Sequence, residues 1–423
     1  QQQQQQQQQQ QGPAPPTARI FQGPGRHCDP AWAQGNYIVS EHAEAHADCV
    51  SSVAIAGQVA VTTGYDGSVK VWSLCSNGGP PSLVKPLTGH SGRVEAVCAD
   101  AASQRAVTSG RDSSLKVWAL GTAPQTAASS HLLHSHYVYE SVPCLAVDWN
   151  ASPPVAALGA TSGNISLFEL DTGRKLGVLK RHDAEVSAVL WMAHPEAQPA
   201  SATEGAQNSG SKGAAAGLLV SGSQDGGLMV WDVRQPRSAV LAGRLQGVRK
   251  RVCSLAASAH LLYVGDYSSS IKIYDMRKLA GPSHMVSPVA RLPAAPSADA
   301  FGDVCPVAGM IVDPKAKIML NSGIAWWSDE QWEALVEASE DEPLPTAVLN
   351  VHAVEGQVDE YLNTVRLGSG IATCAALQES YALVGCSTGS LFSVAVCKRE
   401  MKGNAGMGAR LCTGLLVGCE ELE

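Results

Sequence analysis

The chain has 12 cysteines but no C-x-x-C pair. Most of the cysteines, such as Cys98, Cys253 and Cys374, fall inside apolar strand-like runs, where a thiol acts as a small buried hydrophobe rather than as a disulfide half or a zinc ligand. No apolar run reaches the roughly 18 residues of a membrane span, so none is expected. No secretory leader is visible, and the start at Gln1 leaves open a further domain before it. The expected location is the cytoplasm or the nucleus. Charged residues make up only 16% of the chain, and the net charge of -8 argues against duplex nucleic acid as a main target. Catalytic signatures are absent too: there is no G-x-S-x-G elbow, no H-E-x-x-H pair and no phosphate-cradling glycine loop. Neither an enzyme activity nor a cofactor is expected. His131, His134 and His136 form a histidine cluster without a carboxylate or cysteine at ligand spacing, which fits a solvated surface better than a metal site.

Gly, with 41 residues, and Pro, with 23, are plentiful, and hydrophobic residues make up 45%. That composition favours many short strands joined by tight turns, hence an all-β protein with a large buried core. Residues 1–35 are a low-complexity Gln- and Pro-rich tail or linker beginning with Gln1 to Gln11. Residues 36–397 carry the strand signals, and residues 398–423 form a C-terminal tail of unassigned placement in which Leu411 to Val417 is strand-like.

One hairpin organises the chain. From Leu218 to Arg234 two apolar strand-like runs flank a turn at Gln224, Asp225, Gly226 and Gly227, and the second run ends on Trp231 and Asp232. The pattern recurs. Thr62, Asp66 and Trp72 follow His46, and Thr108, Asp112 and Trp118 follow His90, just as Ser221, Asp225 and Trp231 follow His182. In all three the hydroxyl stands four residues before the Asp and the Trp six after it. Shared chemistry at shared spacing resembles the WD-repeat β-propeller family. The resemblance implies that the hydroxyl, the histidine, the turn Asp and the Trp are hydrogen-bonded, with a structural role.

Further copies are degenerate. One runs from Cys144 to Phe168, where Phe stands for Trp; another from Val252 to Arg277 has Tyr274 there and Ser268 where the turn acid is expected; a last one ends near Val394. Between residues 303 and 356 an interrupted blade is expected, with Ser328 and Gln331 as the capping box of a short helix. Residues 196–216, rich in Ala, Ser and Gly, read as an insertion between strands. The total is a seven-bladed WD-repeat propeller, with Tyr37, Ile38 and Val39 as the strand that closes the last blade.

Two surface features stand out. Trp231, Asp232, Val233 and Arg234, with the looser copy Tyr274, Asp275, Met276 and Arg277, resemble the WDxR box of WD-repeat substrate receptors that dock on the propeller adaptor of cullin-4 ubiquitin ligases. The resemblance implies adaptor binding through Trp231, Asp232, Arg234, Asp275 and Arg277 on the bottom face. Asp-x-Arg at a strand end also fits a local salt bridge. The second feature is the basic set Lys180, Arg181, Arg244, Arg249, Lys250 and Arg251, which precedes inner strands and suits an acidic or phosphorylated client on the top face, or simply a solvated loop. The expected function is a non-catalytic interaction scaffold, specifically a substrate receptor of a cullin-type ligase. The competing expectation is a structural subunit of a stable multiprotein assembly.

Overall fold

The computed structural model describes residues 32, 37–74, 79–121, 131–192, 217–233, 240–248, 250–268, 270–280, 285–293, 307, 309–313, 317–325, 346–354, 360–378 and 381–396. Among the described residues the strands form seven antiparallel blades. Blade 1 consists of Val50–Ala56, Val59–Gly64, Val69–Ser73 and Ser82–Leu87; blade 2 of Val94–Asp100, Arg105–Gly110, Ser114–Ala119 and Leu132–Tyr137. Blade 3 is Cys144–Asp148, Val155–Gly159, Asn164–Glu169 and Lys175–Lys180, and blade 4 is Val186–Met192, Leu218–Ser223, Leu228–Asp232 and Val240–Leu245. Blade 5 is Val252–Ser258, Leu261–Asp266, Ser270–Asp275 and Ala290–Pro293, and blade 6 is Gly309–Asp313, Ile318–Ala325, Thr346–Ala353 and Glu360–Ser369. Blade 7 takes Ala372–Gln378, Tyr381–Cys386 and Leu391–Val396 from the end of this stretch and Tyr37–His42 from its start.

Inner strands touch from each blade to the next and from blade 7 back to blade 1, so the sheets close into a seven-bladed β-propeller. The closing strands are distant along the chain but fully paired: Tyr37 lies opposite Val396 and His42 opposite Leu391, which removes an open edge between the two ends of the ring. The middle strands are nearly all buried because each blade is sandwiched between two others. Seven apolar clusters result, one in each gap. Trp72 meets Leu383 between blades 7 and 1, for example, and Leu320 and Leu349 meet Val384 between blades 6 and 7. Close approach needs small residues. A Cβ on Gly222 would stand 2.4 Å from Val252, and one on Gly385 2.5 Å from Val50.

Hydroxyls stitch the same seams. Ser51 donates to the Val94 carbonyl at 2.6 Å, Ser187 to Val252 at 2.5 Å, Ser254 to Val307 at 3.0 Å and Thr373 to Val50 at 2.5 Å. Each bond ties one inner strand to the start of the next.

Three features depart from the sequence reading. Met285–Val286 adds in parallel to Arg244 and Leu245, giving blade 4 a fifth strand. Glu360–Ser369 supplies an outer strand for blade 6 that the sequence reading lacked. Trp32, assigned to the tail, is buried between blades 6 and 7 and accepts a bond from the Tyr37 hydroxyl through its carbonyl. The expected insertion at 196–216, the capping box at Ser328 and Gln331 and the strand-like 411–417 lie outside the described residues.

Candidate interaction surfaces

The repeat residues meet as networks. In blade 1 the Trp72 indole N–H donates to Thr62 Oγ1 at 2.8 Å, and Thr62 Oγ1 lies 2.7 Å from His46 Nε2. His46 Nδ1 stands 3.2 Å from Asp66 and 2.8 Å from Ser68 Oγ. Burial lowers the His46 pKa below 6.5 against the pull of Asp66, so the ring is neutral. It gives its Nδ1 proton toward Asp66 and Ser68 and accepts the Thr62 hydroxyl proton at Nε2. Burial acts to raise the Asp66 carboxyl, but the Ser68 and Ala47 amides outweigh it and hold the group at about 2. Blade 2 repeats the arrangement: Trp118 to Thr108 at 2.8 Å, Thr108 to His90 at 2.7 Å and His90 to Asp112 at 2.8 Å. Gly67 (φ 79°) and Gly226 (φ 78°) take the left-handed turn position that a side chain would strain.

Blade 4 is looser. Trp231 donates to Ser221 at 2.9 Å and Ser221 lies 2.7 Å from His182. Asp225, however, is 3.9 Å from His182 Nδ1, beyond hydrogen-bonding range, and that nitrogen is buried without a partner. The cause is local. Ser68 and Ser114 bridge acid and imidazole in blades 1 and 2, and Gly227 occupies their place.

The remaining blades replace the network as a set. The register puts Val138, Leu158 and Phe168 of blade 3 where His, hydroxyl and Trp stand elsewhere, and all three are buried in one apolar cluster. In blade 5 Val264 replaces the hydroxyl, and the acid missing at Ser268 stands two residues earlier: Asp266 forms a buried ion pair with Lys272, whose ammonium also reaches Ser268 and Ser270 at 3.2 Å. Blade 6 has His352 at the Trp position and Asn321 at the hydroxyl position, 2.7 Å apart. Burial pushes the His352 pKa down to about 4, so this ring too is neutral, and its Nε2–H donates to Asn321 as the indole does in blade 1. In blade 7 Val384 and Val394 fill both positions.

Because strands alternate in direction, the second-to-third turns and the links from outer strand to next inner strand share one end of the ring, the top. The other turns share the bottom. At the bottom, Trp231 is buried between blades 3 and 4 with its N–H committed to Ser221, so it holds the blade and presents no ring to a partner. Asp232 is half-buried at the strand end, and Arg234 lies outside the described residues. Arg277 is exposed, but its guanidinium grips Asp275 in a fork, Nε to Oδ1 at 2.9 Å and Nη2 to Oδ2 at 2.7 Å. The second Asp-x-Arg is thus a local salt bridge, and it raises the Arg277 pKa while lowering that of Asp275.

At the top, Lys180, Arg181, Arg244, Lys250 and Arg251 are exposed, and Arg249 lies outside the described residues. A further set emerges that the sequence reading missed. The amides of Tyr65, Arg111, Gln224 and Tyr267 donate to the carbonyls of Cys49, Arg93, Glu185 and Arg251, so each turn is pinned to the start of its own inner strand at an equivalent rim position. Arg93 lies over the Tyr65 ring at 4.9 Å and Arg111 Nε donates to Glu95 at 2.7 Å. Burial, with Glu95, pushes the Tyr65 phenol up to about 12. The signal for these residues was positional: Tyr65, Arg111 and Gln224 each directly precede a turn Asp. Of the basic run, Arg251 holds a rim position.

His134 and His136 stack at 5.8 Å, while His131 Nδ1 lies 3.2 Å from Lys85. Among the described residues no group of three or more His, Cys, Asp or Glu could hold a metal ion. No helix among them is long and apolar enough to cross a membrane.

The WD domain, G-beta repeat family matches residues 38–73 and 81–119, which run from the closing strand through blade 1 into the third strand of blade 2. Together with the seven-bladed ring, this match supports a WD-repeat family for the chain. None of the curated proteins matches the chain. WD-repeat propellers are generally non-catalytic scaffolds that bind other proteins.

Proposed function

We propose that the protein is an interaction platform that receives an acidic or phosphorylated client on its top face and docks by blade 4 on the propeller adaptor of a cullin-type ubiquitin ligase. The observation that carries the client half is the exposure of Lys180, Arg181, Arg244, Lys250 and Arg251 at the top end of three consecutive blades, with Arg251 on the rim. Such cations give charge-assisted bonds to carboxylates and phosphates. The adaptor half rests on the resemblance of Trp231 to Arg234 to the WDxR box. Because Asp275 already occupies Arg277, Arg234 is the residue on which docking depends.

The test is affinity purification of the full chain from its own cells with Arg234 intact or replaced by Ala. The adaptor should be recovered only with Arg234 present, at an unchanged melting temperature, and Arg277→Ala should have little effect. Reversing Lys250 and Arg251 to Glu should cost client recovery and weaken its salt dependence. Adaptor capture that persists without Arg234 overturns the ligase reading. The Asp275–Arg277 fork favours a second reading, a structural subunit of a stable assembly, for which the same non-ligase partners would be recovered at fixed stoichiometry from both samples.

A further inference from the structure

The second residue of the inner strand closes a seam of the ring in blades 1, 4 and 7, where Ser51, Ser187 and Thr373 donate to a carbonyl of the next blade. Blade 2 carries Glu95 at that place. A carboxylate cannot donate such a bond, and blade 2 is tied to the start of blade 3 from its second strand instead, by Ser109 donating to the Val142 carbonyl at 3.3 Å. Glu95 is thus not needed to close the ring. Its side chain is only 9% exposed, and what it holds is Arg111, whose Nε donates to Oε1 at 2.7 Å.

Among the described residues the other arginine ion pairs run through the outer nitrogens: Arg105 Nη1 to Asp171 at 2.7 Å, Arg174 Nη2 to Glu169 at 3.3 Å and Arg277 Nη2 to Asp275 at 2.7 Å. Arg111 is bound by Nε alone. A buried acid therefore fixes the side chain, which is 56% exposed, and both Nη groups have no hydrogen-bond partner among the described residues. The Arg111 amide donates to the Arg93 carbonyl at 2.9 Å, which brings a second cation alongside. Arg93 is exposed, lies over the Tyr65 ring at 4.9 Å and has no ion pair among the described residues. The turn acids that follow Tyr65 and Arg111 in the chain, Asp66 and Asp112, are turned inward to His46 and His90. Glu95 foremost, and Glu185 more weakly, raises the Arg111 pKa. Two guanidiniums beside one Glu95 make this a cationic spot on a chain of net charge -8.

We propose that Arg93 and Arg111 form an oxyanion-binding site for a client peptide, on the top face where blade 1 meets blade 2. The site rests on the top face being the client face, and it adds to the basic set of blades 3 to 5. What it takes is the carboxylate or phosphate of a peptide side chain. A guanidinium gripped at Nε holds its outer edge in one orientation, so much of the freedom that a loose side chain loses on binding is already lost on folding. Stacking on Tyr65 does the same for Arg93, because it covers a face of the planar group and leaves the donors at its edge free. One fork satisfies a carboxylate, whereas the oxygens of a phosphate can engage both arginines. Phosphate is therefore the tighter ligand.

Fluorescence anisotropy on the full chain, at about 10 mM ionic strength where screening is weak, tests this. The probes are a fluorescein-labelled Gly-Ser peptide carrying one phosphoserine and two twins with Glu or plain Ser at that place. The phosphopeptide should bind tightest, the Glu peptide more weakly and the Ser peptide least. Arg93→Leu and Arg111→Leu should each weaken phosphopeptide binding about tenfold at an unchanged melting temperature. Arg111→Lys, which keeps the charge but not the anchored fork, should lose nearly as much. Equal binding of the three peptides overturns the proposal, and so does an Arg111→Lys protein that binds like the wild type, since charge alone would then suffice. The client face and this site fail separately. If Lys250→Glu and Arg251→Glu abolish binding that both leucine variants leave intact, the anion sits in blades 3 to 5 and only the site of Arg93 and Arg111 is overturned; if none of these variants changes binding, both readings fall.

Discussion

In blade 2 an imidazole, a hydroxyl and an indole N–H meet at His90, Thr108 and Trp118, whereas the neighbouring blade 3 carries Val138, Leu158 and Phe168 at the same three places. Both sets are buried and both are complete. The difference teaches that the positions are interchangeable only together: a buried donor deprived of its acceptor costs far more than the pair is worth, while exchanging all partners for apolar groups of similar shape is nearly neutral. Blades 5 and 6 obey the same rule with other chemistry, a Lys272–Asp266 ion pair and a His352–Asn321 bond.

The sharpest way to break the comparison is to mix the two solutions. Thr108→Val strips the partner from Trp118 Nε1 and from His90 Nε2 at once, and with about 1–3 kcal/mol for each orphaned group it should destabilise the protein by about 2–6 kcal/mol. Adding His90→Val and Trp118→Phe, and using Leu at 108, copies blade 3 and should recover most of that loss. Urea denaturation of the single and triple variants measures both. A triple variant less stable than the single one would show that the blade 2 network is worth more than its packing.

Acid should separate the two blades next. Burial holds His46, His90 and His182 below their ordinary 6.5, and blade 3 has no counterpart. Above pH 6.5 the rings are neutral whether folded or not, and stability is fully present. As the pH falls through 6.5 the unfolded chain takes up protons that the folded rings refuse, and stability is lost progressively toward the folded pKa values. Asp66, held at about 2 against an ordinary 3.8, adds a loss of the same sign between those values. Stability measured by denaturant at about pH 7.5 and about pH 5 should therefore fall in acid, and the triple variant of blade 2 should fall less steeply. Equal slopes in the two proteins would mean that His90 takes no part.

The ring was legible wherever spacing and polarity coincide. Three copies of hydroxyl, Asp and Trp at one spacing identified blades 1, 2 and 4, and Tyr37 to Val39 identified the closing strand. Blade 6 was harder to read because His352 and Asn321 perform the Trp and Thr roles with residues that no spacing rule singles out. Asp266 escaped because the acid moved two residues along the turn and changed partner from histidine to Lys272. Outer strands such as Glu360–Ser369 have weak signals, since an exposed edge needs little hydrophobic alternation. For the surfaces, residue type alone does not give exposure or pairing: Arg277 is bonded to Asp275, and Trp231 is inside the blade.

The smallest effect concerns blade 4, the one complete set of repeat residues with a broken link. Gly227 gives Asp225 an amide bond at 2.5 Å but no hydroxyl, and His182 Nδ1 is left without a partner. A Cβ at residue 227 would stand 2.7 Å from Asp225 Oδ1 and 3.2 Å from His182 Nδ1, so a side chain there must push the carboxylate aside. In blade 2 the carboxylate of the corresponding Asp112 already sits 2.8 Å from its histidine, with Ser114 bonded to it. Gly227→Ser should therefore shift Asp225 toward His182, satisfy the buried nitrogen and stabilise the protein by about 1 kcal/mol, seen as a higher urea midpoint at an unchanged slope. A lower midpoint would mean that the amides of Gly227 and Asp183 hold Asp225 more firmly than the imidazole can, and that the gap in blade 4 is the better arrangement for its turn.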